Sequence, residues 1–92
     1  MEGHLTDGLV EVGANARERY YDSRGYGRPN GDGVTLSRVE AAHLLYRGDL
    51  ESVDGQEISD FLADNDDIVV PFLVYKDLRD RGFYVSPARE GW

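Results

Sequence analysis

Apolar residues along the chain first alternate with polar ones, then recur at helical spacing, and turn residues separate the groups. Residues 3 to 13 alternate around Asp7-Gly8, a pair that supplies the positive φ of a tight turn. With Val10 and Val12 on one face, this predicts a β-hairpin. Residues 15 to 23, with Ala16, Tyr20 and Tyr21, suit a short helix capped by Asn15, although a tyrosine-rich run also suits a strand. Residues 25 to 33 hold four glycines and Pro29, which predicts a connecting loop.

The strongest helix signal follows. Ser37 and Glu40 have the spacing of a capping box, and Val39, Ala42, His43 and Tyr46 stand at i, i+3, i+4 and i+7. Gly48 is the expected stop. Residues 50 to 53 suit a short strand closed by Asp54-Gly55, and Ser59 is expected to cap a helix carrying Phe61 and Leu62. The acidic run Asp64-Asn65-Asp66-Asp67 opens a last helix whose regular part is predicted over residues 71 to 81. Pro71 must sit in its first turn or kink it, Arg79 and Arg81 favour its C-terminal pole, and Gly82 ends it. Phe83-Tyr84-Val85 then leaves as a strand. The pattern predicts a single α+β domain, a small mixed or antiparallel sheet with about three helices.

Composition narrows the class. At 92 residues the chain holds one modest core, which excludes a two-domain enzyme with a cleft between lobes. Its longest apolar run, residues 68 to 75, is broken by Pro71, so no membrane span is expected. The Met1-Glu2-Gly3-His4 start has no basic or apolar leader, and the expected location is the cytoplasm. Cysteine is absent, which excludes disulfides, thiolate metal sites and cysteine nucleophiles.

The charge adds a further constraint. Eighteen acids against ten bases give −8, and the bases are nearly all arginine, with Lys76 the sole lysine. Abundant Asp with almost no Lys fits a protein kept soluble in concentrated salt, where self-repulsion is screened. The alternative is an acidic protein of ordinary salt that is poor in lysine. Either way the overall charge opposes non-specific nucleic-acid binding, so any such contact must be local.

Most chemical candidates have a plainer explanation in structure. The glycine run lacks the Lys-Ser/Thr of a phosphate-binding loop. Asp64, Asp66 and Asp67 lack the spacing of a calcium loop and suit a solvated helix start. His4 lies near a frayed end, His43 on an apolar helix face, and two unlinked imidazoles make no zinc site. Ser37 and Ser59 serve better as caps than as nucleophiles. Lys76 is expected to pair with Asp80 one turn on. No catalytic residue, metal site or cofactor is therefore expected.

One constellation stays open: Arg17, Arg19, Arg24 and Arg28 are interleaved with Tyr20, Tyr21 and Tyr26. Arginine forks beside stacking rings commonly hold single-stranded or bulged RNA. The plainer reading is that the tyrosines pack under the hairpin while the arginines pair with this protein's many acids. Arg17, Arg19, Arg24, Arg28 and Tyr26 are the candidate RNA contacts.

The run Phe72-Leu73-Val74-Tyr75-Lys76-Asp77-Leu78-Arg79-Asp80-Arg81-Gly82-Phe83-Tyr84-Val85 resembles the segment that links the two domains of archaeal tRNA-splicing endonucleases. Upstream features agree in order: Tyr26-Gly27, Leu36-Ser37 before a helix with Glu40-Ala41 and Leu44-Leu45, then Gly48, then Leu50-Glu51. Pro71 departs from that pattern. The resemblance implies the noncatalytic N-terminal domain of such an enzyme over residues 1–85, from a haloarchaeal source. Residues 86–92 would be a linker or the start of a catalytic domain.

The family's Tyr, His and Lys that cleave RNA lie in that later domain, so no position here inherits a catalytic role, and Tyr75 and Lys76 belong to the helix motif. The implied parent is a homo-oligomer that acts on precursor tRNA without a metal, leaving a 2′,3′-cyclic phosphate. The rival reading is an independent acidic module that binds a protein partner.

The charge generates the first prediction. The melting temperature should rise between about 0.1 M and about 2 M KCl, as the Debye length falls from ~10 Å to below 3 Å. A midpoint unmoved by salt would remove the reading of salt adaptation.

Overall fold

The computed structural model describes residues 2–13, 15–22 and 25–81. Strand β1 (Glu2–Thr6) and strand β2 (Leu9–Val12) form the expected hairpin, with Asp7 at φ 52° and Gly8 at φ 79° in its turn. After a helical turn of π type at Arg17–Asp22 come β3 (Arg28–Asn30), β4 (Gly33–Ser37) and α1 (Arg38–Arg47). The two-residue strand β5 (Ser52–Val53), α2 (Ile58–Asp64), a 3₁₀ turn at Asp66–Ile68 and α3 (Val69–Asp80) complete the described chain. The sheet order is β3-β4-β2-β1-β5, antiparallel except for the β1–β5 pair. The fold is α+β as expected, with a mixed five-stranded sheet.

Val10, Val12, Val34 and Leu36 lie on one sheet face and are buried beneath α1. The whole run from Val39 to Leu45 is buried, so α1 is a central helix, enclosed by the sheet, α2 and α3. Tyr46, expected on the buried stripe, is instead half-exposed, because its ring packs edge-on against Phe72 of α3 at the margin of the core. Phe61, Phe72 and Tyr75 close the other side of the core.

Local signals placed α1 correctly. The Ser37 hydroxyl accepts from the Glu40 amide at 3.1 Å, and the Glu40 carboxylate accepts from the Ser37 amide at 3.0 Å. Gly48 ends the helix at φ 82°, a left-handed conformation that costs glycine little.

Several expectations need correction. Residues 25 to 33 are not a loop, because Arg28-Pro29-Asn30 pairs with β4 across a two-residue turn at Gly31-Asp32. Proline is tolerated there because β3 is the outer strand. Asn15 is no extended N-cap, for it takes φ 67°, and its carbonyl accepts from the Arg19 amide. Ser59 lies inside α2, which starts after Glu57 without a side-chain cap. The last helix begins at Val69, two residues early, since the 3₁₀ turn at Asp66–Ile68 feeds directly into it. Pro71 then falls in the first turn, where no amide partner is required.

His4 is not frayed. It lies in β1, 3.2 Å from Asp54, whose carboxyl is held below the usual carboxylate range by the Leu5 amide and then by His4. Nor is the acidic run simply solvated: Arg38 grips Asp67 through both guanidinium nitrogens and reaches Asn65, tying α1 to the 3₁₀ turn. The arginine holds the Asp67 carboxyl below its ordinary range. Gly82, Phe83-Tyr84-Val85 and residues 86–92 lie outside the described residues.

The capping box generates the second prediction. Ser37→Ala should cost about 1 kcal/mol. Glu40→Ala should cost about 3 kcal/mol, because two partly buried amides would lose their acceptor. Urea melts would measure both, and equal effects would mean that Glu40 serves the cap alone.

Candidate functional site

The segment from Asn15 to Arg28 is pinned at both ends. The Arg17 amide donates to the Asp32 carbonyl at 3.0 Å, and the Tyr26 amide donates to the Tyr20 carbonyl at 3.0 Å. Tyr20 is fully buried and its hydroxyl donates to the Asp49 carbonyl at 2.6 Å, so this turn hangs on the C-terminal end of α1. Burying the tyrosine side pushes the arginine side outward. Arg17 lies 3.8 Å from Asp22, both half-exposed, and the Arg19 guanidinium is 5.9 Å from the Tyr20 ring centre. Arg28 is exposed on the edge strand. The open depression beside Arg17 is lined by Glu18, Asp22 and Asp32 as well, so acids outnumber bases there. Arg24 lies outside the described residues.

Tyr26 belongs to the core, only 2% exposed. Its hydroxyl is 2.8 Å from His43 Nδ1, and the Arg79 guanidinium sits 4.0 Å from its ring centre. Arg79 also donates to the Tyr75 hydroxyl at 3.0 Å. A side chain of α3 therefore occupies the ring face that a base would need. Of the five expected RNA contacts, Arg17 and Arg19 share one turn and Arg28 stands on β3, while Tyr26 is committed to the fold.

The buried cluster around His43 was not legible beforehand. His43 is fully buried on α1, edge-on to Tyr75 at 5.4 Å and stacked near Tyr46 at 6.4 Å. Its Nε2 has no hydrogen-bond partner, the Asp80 carboxylate being 4.0 Å away. Burial, then the charges of Arg47, Arg79 and Lys76, lower its pKa from 6.5 to about 4 against the opposing pull of Asp80. Burial, then the charge of Glu40, pushes the Tyr75 phenol upward. The sealed imidazole faces no solvent through which a substrate could reach it. Lys76 pairs with Asp80 at 3.2 Å as expected, an interaction that raises its pKa, and lies 4.9 Å from the Tyr46 ring centre.

Among the described residues, no three His, Asp or Glu side chains are grouped to hold a metal ion. Asp64 accepts from Gln56, and Asp67 is taken by Arg38.

This geometry defines a small two-layer α+β domain with a sealed polar cluster around His43. The chain belongs to the tRNA intron endonuclease N-terminal domain family, whose pattern matches residues 1–63. It is 74% identical over all 92 residues to a tRNA-splicing endonuclease of Natronomonas pharaonis, of which it covers 27%. It is 58% identical over its full length to the tRNA-splicing endonuclease of Haloarcula marismortui, covering 28% of that protein. The tRNA-splicing endonuclease of Methanosarcina acetivorans is 36% identical over 96 aligned positions that include 96% of this chain. The chain thus spans about a quarter of the length of these curated relatives.

The third prediction concerns His43. The fold favours its neutral form, so as pH falls below 6.5 the unfolded chain takes up the proton first, and stability is lost until the folded pKa near 4 is passed. This group alone should remove about 3 kcal/mol between pH 7 and pH 4. Urea melts of wild type and His43→Gln at both pH values isolate the effect, and parallel losses in the two proteins would refute it.

Proposed function

We propose that this chain serves as the noncatalytic N-terminal domain of an enzyme that excises introns from precursor tRNA. The observation that carries the reading is the 74% identity across the whole chain to a tRNA-splicing endonuclease nearly four times as long. The geometry agrees with it. Cutting an RNA backbone without a metal requires a base for the 2′-hydroxyl, an acid for the leaving oxygen and a cation over the phosphorane. Here His4 is bonded to Asp54, His43 is sealed in the core, and Lys76 is paired with Asp80.

The role left to the domain is assembly, together with peripheral contact to RNA phosphates from Arg17, Arg19 and Arg28, with Arg24 beside them in sequence. The parent would act in the cytoplasm as a homo-oligomer.

Incubation with labelled intron-containing precursor tRNA tests the reading. The 92-residue chain alone should release no product. A chimera in which this chain replaces the matched segment of the Natronomonas pharaonis protein should excise the intron. Replacing Arg17, Arg19 and Arg28 together by Ala should lower the chimera's affinity for precursor severalfold, less so as salt rises. Cleavage by the isolated chain that disappears in His43→Ala, or an inactive chimera, would overturn the assignment.

A further inference from the structure

The outward face of α3 carries a stripe that no described element of the domain covers. Val70 is 70% exposed, Leu73 54% and Val74 42%. These residues lie at i, i+3 and i+4, opposite Phe72 and Tyr75, which face the core. Asp77, one turn on, pairs with Arg81 at 3.3 Å, which gives the stripe a charged border. An isolated helix face of this kind in a protein of charge −8 marks a contact surface.

The size of the stripe decides what covers it. A stable complex between separate molecules buries about 800 Å² on each partner. Three aliphatic side chains over two turns fall far short of that. A tethered partner needs much less, because the tether removes most of the entropic cost of association. Interfaces between domains of one chain are accordingly small. The relatives carry such a tethered partner, since the matched segment is only 27% of the Natronomonas pharaonis protein.

We infer that the Val70, Leu73 and Val74 face of α3 is an intramolecular docking surface for the polypeptide that the relatives carry outside the matched segment. The inference rests on the reading of this chain as one domain of a longer enzyme. In that assembly the stripe is buried, and α3 becomes the element that fixes the orientation of this domain relative to the rest.

The chain has no cysteine, so Leu73→Cys provides a single thiol within it. Its alkylation rate, read on the labelled peptide by mass spectrometry, should fall about tenfold between the 92-residue chain and the Natronomonas pharaonis chimera, the protection expected of a mostly closed contact. A thiol introduced by Thr35→Cys, on the opposite side of the sheet, should react equally in both. As a second measurement, Leu73→Asp should lower the melting temperature of the chimera and leave that of the isolated chain unchanged. Equal alkylation at position 73 in the two proteins would overturn the inference, and so would protection in the isolated chain that grows with its concentration, which would assign the face to a second copy. Intron excision by the same chimera is scored separately. A chimera that excises the intron while its thiol at position 73 reacts freely refutes the docking surface alone. One that protects the thiol but excises nothing refutes the proposed function alone.

Discussion

The carboxylate of Glu40 is the point on which the rest of the fold depends. One oxygen accepts from the Ser37 amide at 3.0 Å and the other from the Gly27 amide at 2.7 Å, so one buried side chain both starts α1 and anchors the chain entering β3. A side chain at Gly27 could not be accommodated: the residue has φ 67°, and a Cβ would lie 2.5 Å from the Thr35 carbonyl. Fixing Gly27 against the first turn of α1 fixes its neighbour too. Tyr26 then meets His43, one helical turn beyond Glu40, and Arg79 closes over the ring from α3. The edge strand, the central helix and the last helix are thus positioned in succession from one hydrogen-bonded group.

This arrangement explains why a polar cluster persists where an apolar core would pack more simply. An imidazole with an unpartnered Nε2 carries a desolvation cost, so the site lowers stability relative to a fully satisfied one. What it supplies is directionality. The Tyr26 hydroxyl, the His43 ring and the Arg79 fork each accept only particular geometries, and together they set the rotation of α3 against α1. That rotation decides which residues of α3 face outward.

Much of this was legible locally and little of it at long range. The capping box, the Gly48 stop and the Asp-Gly turns are short-range patterns with their own chemistry, and each fell where expected. Strand β3 was hidden because glycine and proline signal loops, and only its position at the sheet edge makes Pro29 acceptable. The cap assigned to Ser59 failed because a serine ahead of an apolar pair does not exclude a helix that starts two residues earlier, at Ile58. Tyr26 read as a stacking ring beside arginines, since nothing nearby in sequence reveals that His43 and Arg79 enclose it. The resemblance was carried mainly by residues 72–85, whereas the family pattern matches residues 1–63; the full-length identity to the relatives joins the two.

The two faces of the domain also differ in a way that composition alone conceals. On the side of the sheet away from the helices, the pairings place His4, Glu11, Thr35 and Arg28 in one row across four strands, a polar surface suited to water and salt. The outer helix carries the exposed aliphatic stripe instead. Screening by salt weakens repulsion between like-charged surfaces but does nothing to hydrate Val70 or Leu73. Concentrated salt therefore tolerates the polar face of this acidic domain and leaves the aliphatic stripe on α3 as the surface that gains most from being covered.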